Sequence, residues 1–202
     1  MEEQKKKIAL FFTAACMIGL LSAQKDSIFK TGLIRAQANI SGGYLFHSKK
    51  YAPYISANMD YYMHENFSIN GEAWFSFDII NKETTGLRKN FSTFLGMNYH
   101  PVKFSRWDPY IGVGAGMAFY TLNYYKDTLI RESPPQFAPV VGITAGLNYY
   151  IGTIFHFFVQ CKFVAGSVGN SEYGRAYMEE LKISGGLGWN LKPKKRNPKK
   201  IL

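Results

Sequence analysis

Residues 109–122, PYIGVGAGMAFYTL, alternate two kinds of side chain without a break. Ile111, Val113, Ala115, Met117 and Phe119 share one face of an extended chain; Tyr110, Gly112, Gly114, Gly116 and Ala118 share the other. Strand side chains point alternately to the two sides of a sheet, so a period of two describes a strand between unlike environments. Seven more segments repeat the pattern: 33–46, 54–63, 67–79, 91–100, 139–151, 154–165 and 181–191. Each has room for the roughly 9–11 residues of a tilted membrane-spanning strand. The predicted fold is all-β, an eight-stranded antiparallel up-and-down transmembrane barrel.

The first faces of these segments are apolar, and the second faces collect Ser, Asn, Gly and six charges. The six are Arg35, Asp60, Glu72, Asp78, Lys162 and Lys182. A soluble sandwich would turn this polar side to water, whereas a membrane barrel encloses it as a lumen, where opposite charges pair. Bilayer hydrocarbon excludes open sheet edges, because unpaired backbone groups there cost several kcal/mol each. The start of the chain and its aromatic content favour the barrel.

That start is MEEQKKK followed by the apolar run IALFFTAACMIGLL and then Ser22-Ala23-Gln24. A basic beginning, a short apolar stretch and a small residue at its exit describe a secretory signal, with cleavage expected after Ala23. The run is short of the roughly 20 residues of a spanning helix. A lipoprotein signal at Cys16 lacks the leucine expected three positions earlier. The expected organisation is a signal peptide at 1–23, a barrel at 24–191 and a basic tail at 192–202. One cysteine, Cys161, remains after cleavage, so no disulfide closes the monomer. The chain has 14 Tyr, 16 Phe and 3 Trp, enough for aromatic rings at two membrane–water boundaries.

The net charge of +10 is concentrated at the end: Lys192, Lys194, Lys195, Arg196, Lys199 and Lys200 supply six of the charges. With the leader's single excess charge removed, the body carries about +3, which is no nucleic-acid signature. The tail reads as a solvated end or a contact for anionic lipid. Connections alternate in length. Residues 64–66 and 152–153 are short; 47–53, 81–90, 127–137 and 168–179 are long, with 102–108 between the two classes. Short periplasmic turns and long outer loops are the barrel pattern, and an even strand number puts both termini in the periplasm.

An eight-stranded barrel is only wide enough to be filled by side chains. The inward glycines (Gly96, Gly112, Gly114, Gly116, Gly142, Gly146, Gly186, Gly188) leave space for Tyr110, Trp74 and Phe158. The order of segments places Arg35, Lys162 and Lys182 on one wall and Asp60, Glu72 and Asp78 beside it. Arg35 is expected to contact Asp60 or Glu72.

The alternating segments, the Pro109–Gly116 motif and the eight-strand spacing resemble the small outer-membrane barrels of the OmpA/OmpX type. They are most similar to the outer-membrane β-barrel domain proteins common in Bacteroidetes, over about residues 28–191. The resemblance implies outer-membrane lipid and lipopolysaccharide as surroundings, assembly by the barrel-assembly machinery, and possible extracellular partners at the loops. Members of this type serve in adhesion and anchoring or act as enzymes. They usually end on an aromatic residue, whereas here Trp189 and Leu191 precede eleven more residues.

Chemical sites are few. GVGAG (112–116) lacks the last glycine and the following helix of a dinucleotide loop. His47 and Ser48, with Glu65 or Glu83, suggest a lipid esterase, but His64 and Glu65 fall at the opposite end from His47, and no triad assembles on the outer rim. The four histidines have no metal-ligand spacing, and no cofactor is expected. The leading function is structural or interactive, through the outer loops. A narrow channel or small-solute binder comes second, and a lipid-modifying enzyme third.

Overall fold

A computed structural model describes residues 31–79, 85–102, 106–126, 129–166, 173 and 177–191. The expected signal peptide, the basic tail and Glu83 lie outside the described residues. Nine strands form: β1 (Ile34–Leu45), β2 (Lys50–His64), β3 (Phe67–Ser76), β4 (Gly86–Tyr99), β5 (Trp107–Lys126), β6 (Leu129–Glu132), β7 (Gln136–Ile151), β8 (Phe155–Ala165) and β9 (Glu180–Leu191). Every neighbouring pair is antiparallel, in the order β4-β3-β2-β1-β9-β8-β7-β5, and a β4–β5 pairing closes the ring of eight. The small β6 stands outside the ring and pairs only with Asn123–Lys126 of β5.

The outer surface follows from the alternation. Phe67, Tyr99, Trp107, Tyr149 and Trp189 ring the short-turn end; Tyr44, Phe75, Phe91, Phe119, Phe137 and Phe163 ring the loop end. Between the rings no outward strand position carries a charge. Tyr99 to Phe91 spans eight residues and Trp107 to Phe119 twelve. At about 3.3 Å per residue and a tilt near 40°, the rings stand about 20–30 Å apart, which brackets the ~25 Å apolar band of a spanning barrel.

The structure corrects several sequence expectations. β4 begins at Gly86 rather than 91, because a bulge between Leu87 and Lys89 breaks the period of two that marks a strand. β5 runs on to Lys126 past the adjacent buried pair Leu122 and Asn123, where the alternation also fails. Residues 129–132, read as loop, form β6 above the apolar band, where no lipid face imposes a pattern. β3 ends at Ser76, so Asp78 leaves the lumen for the rim. The short β7–β8 turn is made by Gly152 at φ 73°, a left-handed conformation that suits glycine.

Candidate functional site

The buried polar side chains of the strands converge in the lumen, and they meet across its full width. In the ring of eight, β1 faces β5, β3 faces β8, and β4 faces β9. Each of these opposed pairs is bridged at its own level.

Nearest the turn end, the fully buried Arg35 of β1 is the hub. Its Nη2 donates to Asp60 Oδ2 at 3.0 Å and its Nη1 to Asp108 Oδ2 on the opposite wall, also at 3.0 Å. Nη1 also reaches the Tyr150 hydroxyl at 3.2 Å. The guanidinium carbon lies 5.0 Å from the Tyr62 ring centre, a cation–π contact. Asp108 also accepts from the Tyr62 hydroxyl at 2.7 Å and from His100 Nδ1 at 2.8 Å, while Asn98 donates to Asp60 Oδ1 at 2.8 Å. Charged hydrogen bonds of this kind offset the large cost of taking carboxylates out of water.

At mid-lumen Lys162 of β8 reaches Glu72 of β3 at 3.0 Å. Glu72 accepts from Asn70 at 2.6 Å and from Trp74 Nε1 at 3.0 Å, and the ammonium sits 4.2 Å from the Phe94 ring centre. Gly142 clears the way, since a Cβ there would lie 2.7 Å from Lys162 Cε. Towards the loops Lys182 of β9 donates to Ser92 of β4 at 3.0 Å and pairs with Glu180 at 3.6 Å. Tyr54 and Trp74 cover its ammonium at 4.3 and 4.9 Å. Beyond it the lumen is packed mainly with Leu45, Trp74, Tyr120, Leu122, Val164 and Met178, with Ser76 and Asn90 buried among them.

Of the six charges singled out by sequence, Arg35, Asp60, Glu72, Lys162 and Lys182 are buried together. Asp78 is not among them. Its side chain is 46% exposed and pairs with Arg88 at 3.3 Å and Lys89 at 3.9 Å, and both cations also pair with Glu132. Asp108 and Glu180 are buried members that the sequence reading missed. Asp108 falls in the 102–108 link by segment boundaries, yet extending the alternation back from Tyr110 places it inward.

Ser68, His100 and Asp108 stand in relay order, with Ser68 Oγ 3.0 Å from His100 Nε2 and His100 Nδ1 2.8 Å from Asp108. Such an order activates serine nucleophiles when substrate reaches the hydroxyl. Here all three residues are fully buried, and Asp108 is committed to Arg35 and Tyr62. The relay serves to satisfy buried polar groups. Among the described residues no cluster of three His, Cys, Asp or Glu is placed to hold a metal.

No protein-family model matches the chain, and no curated protein does. Solved structures do. Neisserial surface protein A is matched at a TM-score of 0.59 with 12% identity, over 79% of this chain and 97% of that one. The outer membrane protein OprG from Pseudomonas aeruginosa is matched at 0.57 with 11% identity, over 83% and 100%. The N-terminal β-barrel domain of Pseudomonas aeruginosa OprF is matched at 0.53 with 18% identity, over 80% and 98%. At these identities the likeness is one of fold, and that fold is the closed eight-stranded antiparallel barrel of small outer-membrane proteins.

Proposed function

We propose that the protein is a small outer-membrane barrel of a Gram-negative cell envelope, with a structural or interactive role exerted through its loop end. The observation that carries this reading is the set of three bridges across the lumen, Arg35–Asp108, Lys162–Glu72 and Lys182–Ser92. Opposite walls within hydrogen-bond distance at three levels leave no bore for a solute, and the apolar packing above them adds a fourth barrier. Lipopolysaccharide and lipid surround the apolar band, the barrel-assembly machinery inserts the chain, and both termini face the periplasm. The loop end offers a partner a cleft of about 320 Å³ lined by Thr85, Asn123, Tyr124, Tyr125 and Tyr173.

Single-channel recording in planar bilayers tests this reading against the channel alternative. The expected trace shows no discrete steps, and reproducible unitary conductance from the purified barrel would overturn the proposal. The enzyme alternative is tested by mass spectrometry of lipid A from cells with and without the protein, where identical spectra are expected.

A further inference from the structure

The β1–β9 pairing is the seam where the first and last strands close the ring, and its ladder is broken. Ile34–Gln37 pair with Leu191–Gly188, and pairing resumes at Ser41 opposite Ser184 in the same register. The stretch Ala38–Ile40 opposite Gly185–Leu187 has no ladder partners across the seam, although Ala38–Ile40 remain paired with β2 on their other side. The gap lies within the apolar band, where backbone groups without partners are most costly.

A second observation falls in the same place. Among the described residues, five buried side-chain atoms without a hydrogen-bond partner lie beside this gap. Asn58, Gln37, Gly188 and His156 form one row across β2, β1, β9 and β8, with Arg35 and Asn190 paired in a row nearer the turn end. In these rows Arg35 Nε, Gln37 Oε1, Asn58 Oδ1 and Asn190 Nδ2 are unsatisfied, while the His156 ring donates to the Asn190 amide oxygen; Ser184 Oγ completes the set further up. Gln37 Nε2 donates to His156 Nε2 at 2.7 Å, which leaves the proton on Nδ1. The orphans then comprise two donors, two acceptors and one hydroxyl.

We propose that the inner flank of the β1–β9 seam is a binding site for a short file of water molecules. Balanced donors and acceptors are what water bridges, whereas an ion would need one kind in excess. At about three hydrogen bonds per buried water, five orphan atoms call for about two molecules. The same file reaches the backbone groups left open between Asn39 and Gly186. The seam is therefore wet on its lumen side and is the line of least resistance in the wall.

Water-edited solid-state NMR on the deuterated full barrel in lipid bilayers tests this. Water-to-amide polarisation transfer is expected to build up several-fold faster at Gln37–Ser41 and Ser184–Gly188 than at Leu95–Gly96 and Gly114–Ala115, which lie at mid-strand on the far wall. Amide exchange at the seam positions is expected to be at least about tenfold faster, as for a locally weaker unit. Equal build-up and equal exchange at seam and far wall would overturn the proposal. Replacing Gln37→Leu and Asn190→Leu together is expected to abolish the fast transfer at Gly188 and leave the far wall unchanged. Persistence of fast transfer in a folded double variant would also refute the assigned site.

Discussion

Replacing Arg35→Met removes the hub of the turn-end network while keeping a side chain of similar length. Two carboxylates then remain buried, Asp60 and Asp108, each previously 3.0 Å from the guanidinium. Asp108 retains donors in Tyr62, His100 and Asn148, whereas Asp60 retains the Asn98 amide. Most of the loss is therefore expected to fall on Asp60. Stranding one member of a buried pair costs about 3–5 kcal/mol, a factor of roughly 10²–10⁴ in the folding equilibrium at about 1.4 kcal/mol per tenfold. Reversible urea unfolding from lipid vesicles, followed by tryptophan fluorescence, measures it. Adding Asp60→Asn should recover more than half of the loss, because the uncompensated charge is then gone. A variant within ~1 kcal/mol of wild type, or an unchanged loss in the Asp60→Asn background, would show that the pair does not act as described.

Other expectations are simpler to test. Val113→Arg puts a charge at mid-band on the outward face and should cost about 2–4 kcal/mol of folding free energy in vesicles, while Thr121→Arg near the loop rim should cost about 0–1. Glu72→Gln removes the carboxylate charge 3.0 Å from the Lys162 ammonium and should destabilise by about 3–5 kcal/mol, with recovery when Lys162→Met is added. Gly116→Ala should fold poorly, since a Cβ there overlaps the Thr93 carbonyl oxygen, whereas Gly71→Ala, with nothing within 4 Å, should be tolerated; heat-modifiable gel migration separates the two. Lys89→Ala at the exposed rim, where the side chain is 47% exposed, should change stability by less than ~1 kcal/mol in the same assay.

The strands were legible in the sequence wherever lipid lies on one side, because hydrocarbon tolerates no charge and the alternation is enforced residue by residue. Arg35, Glu72 and Lys162 could thus be placed inward from spacing alone. Where the wall rises above the apolar band the rule lapses, so β6, the start of β4 and the extension of β5 read as loop. Asp78 failed for a related reason: it keeps the parity of β3 two residues beyond the point where β3 ends. Partners were harder to read than faces. Neighbouring strands suggest Asp60 or Glu72 for Arg35; the contact to Asp60 forms, and Glu72 pairs with Lys162 instead. The bond to Asp108 comes from the wall opposite and depends on how the strands stagger as the ring closes, which no local pattern records. The water-bearing seam has the same origin, in a ladder interruption that leaves no trace in the composition of β1 or β9.

The uncharged outer belt has a consequence for how such a chain changes over generations. At Ile111, Val113 or Met117 the bilayer asks only for solubility in hydrocarbon, and any aliphatic residue answers. Half of every strand is then free to drift without retaining a record of ancestry. The other half is bound by bridges such as Lys162–Glu72, which each lineage can rebuild from different partners so long as the bore stays filled. Sequence resemblance can fade under both regimes while the architecture holds, and the matches of 11–18% identity over about four-fifths of the chain are likenesses of fold alone.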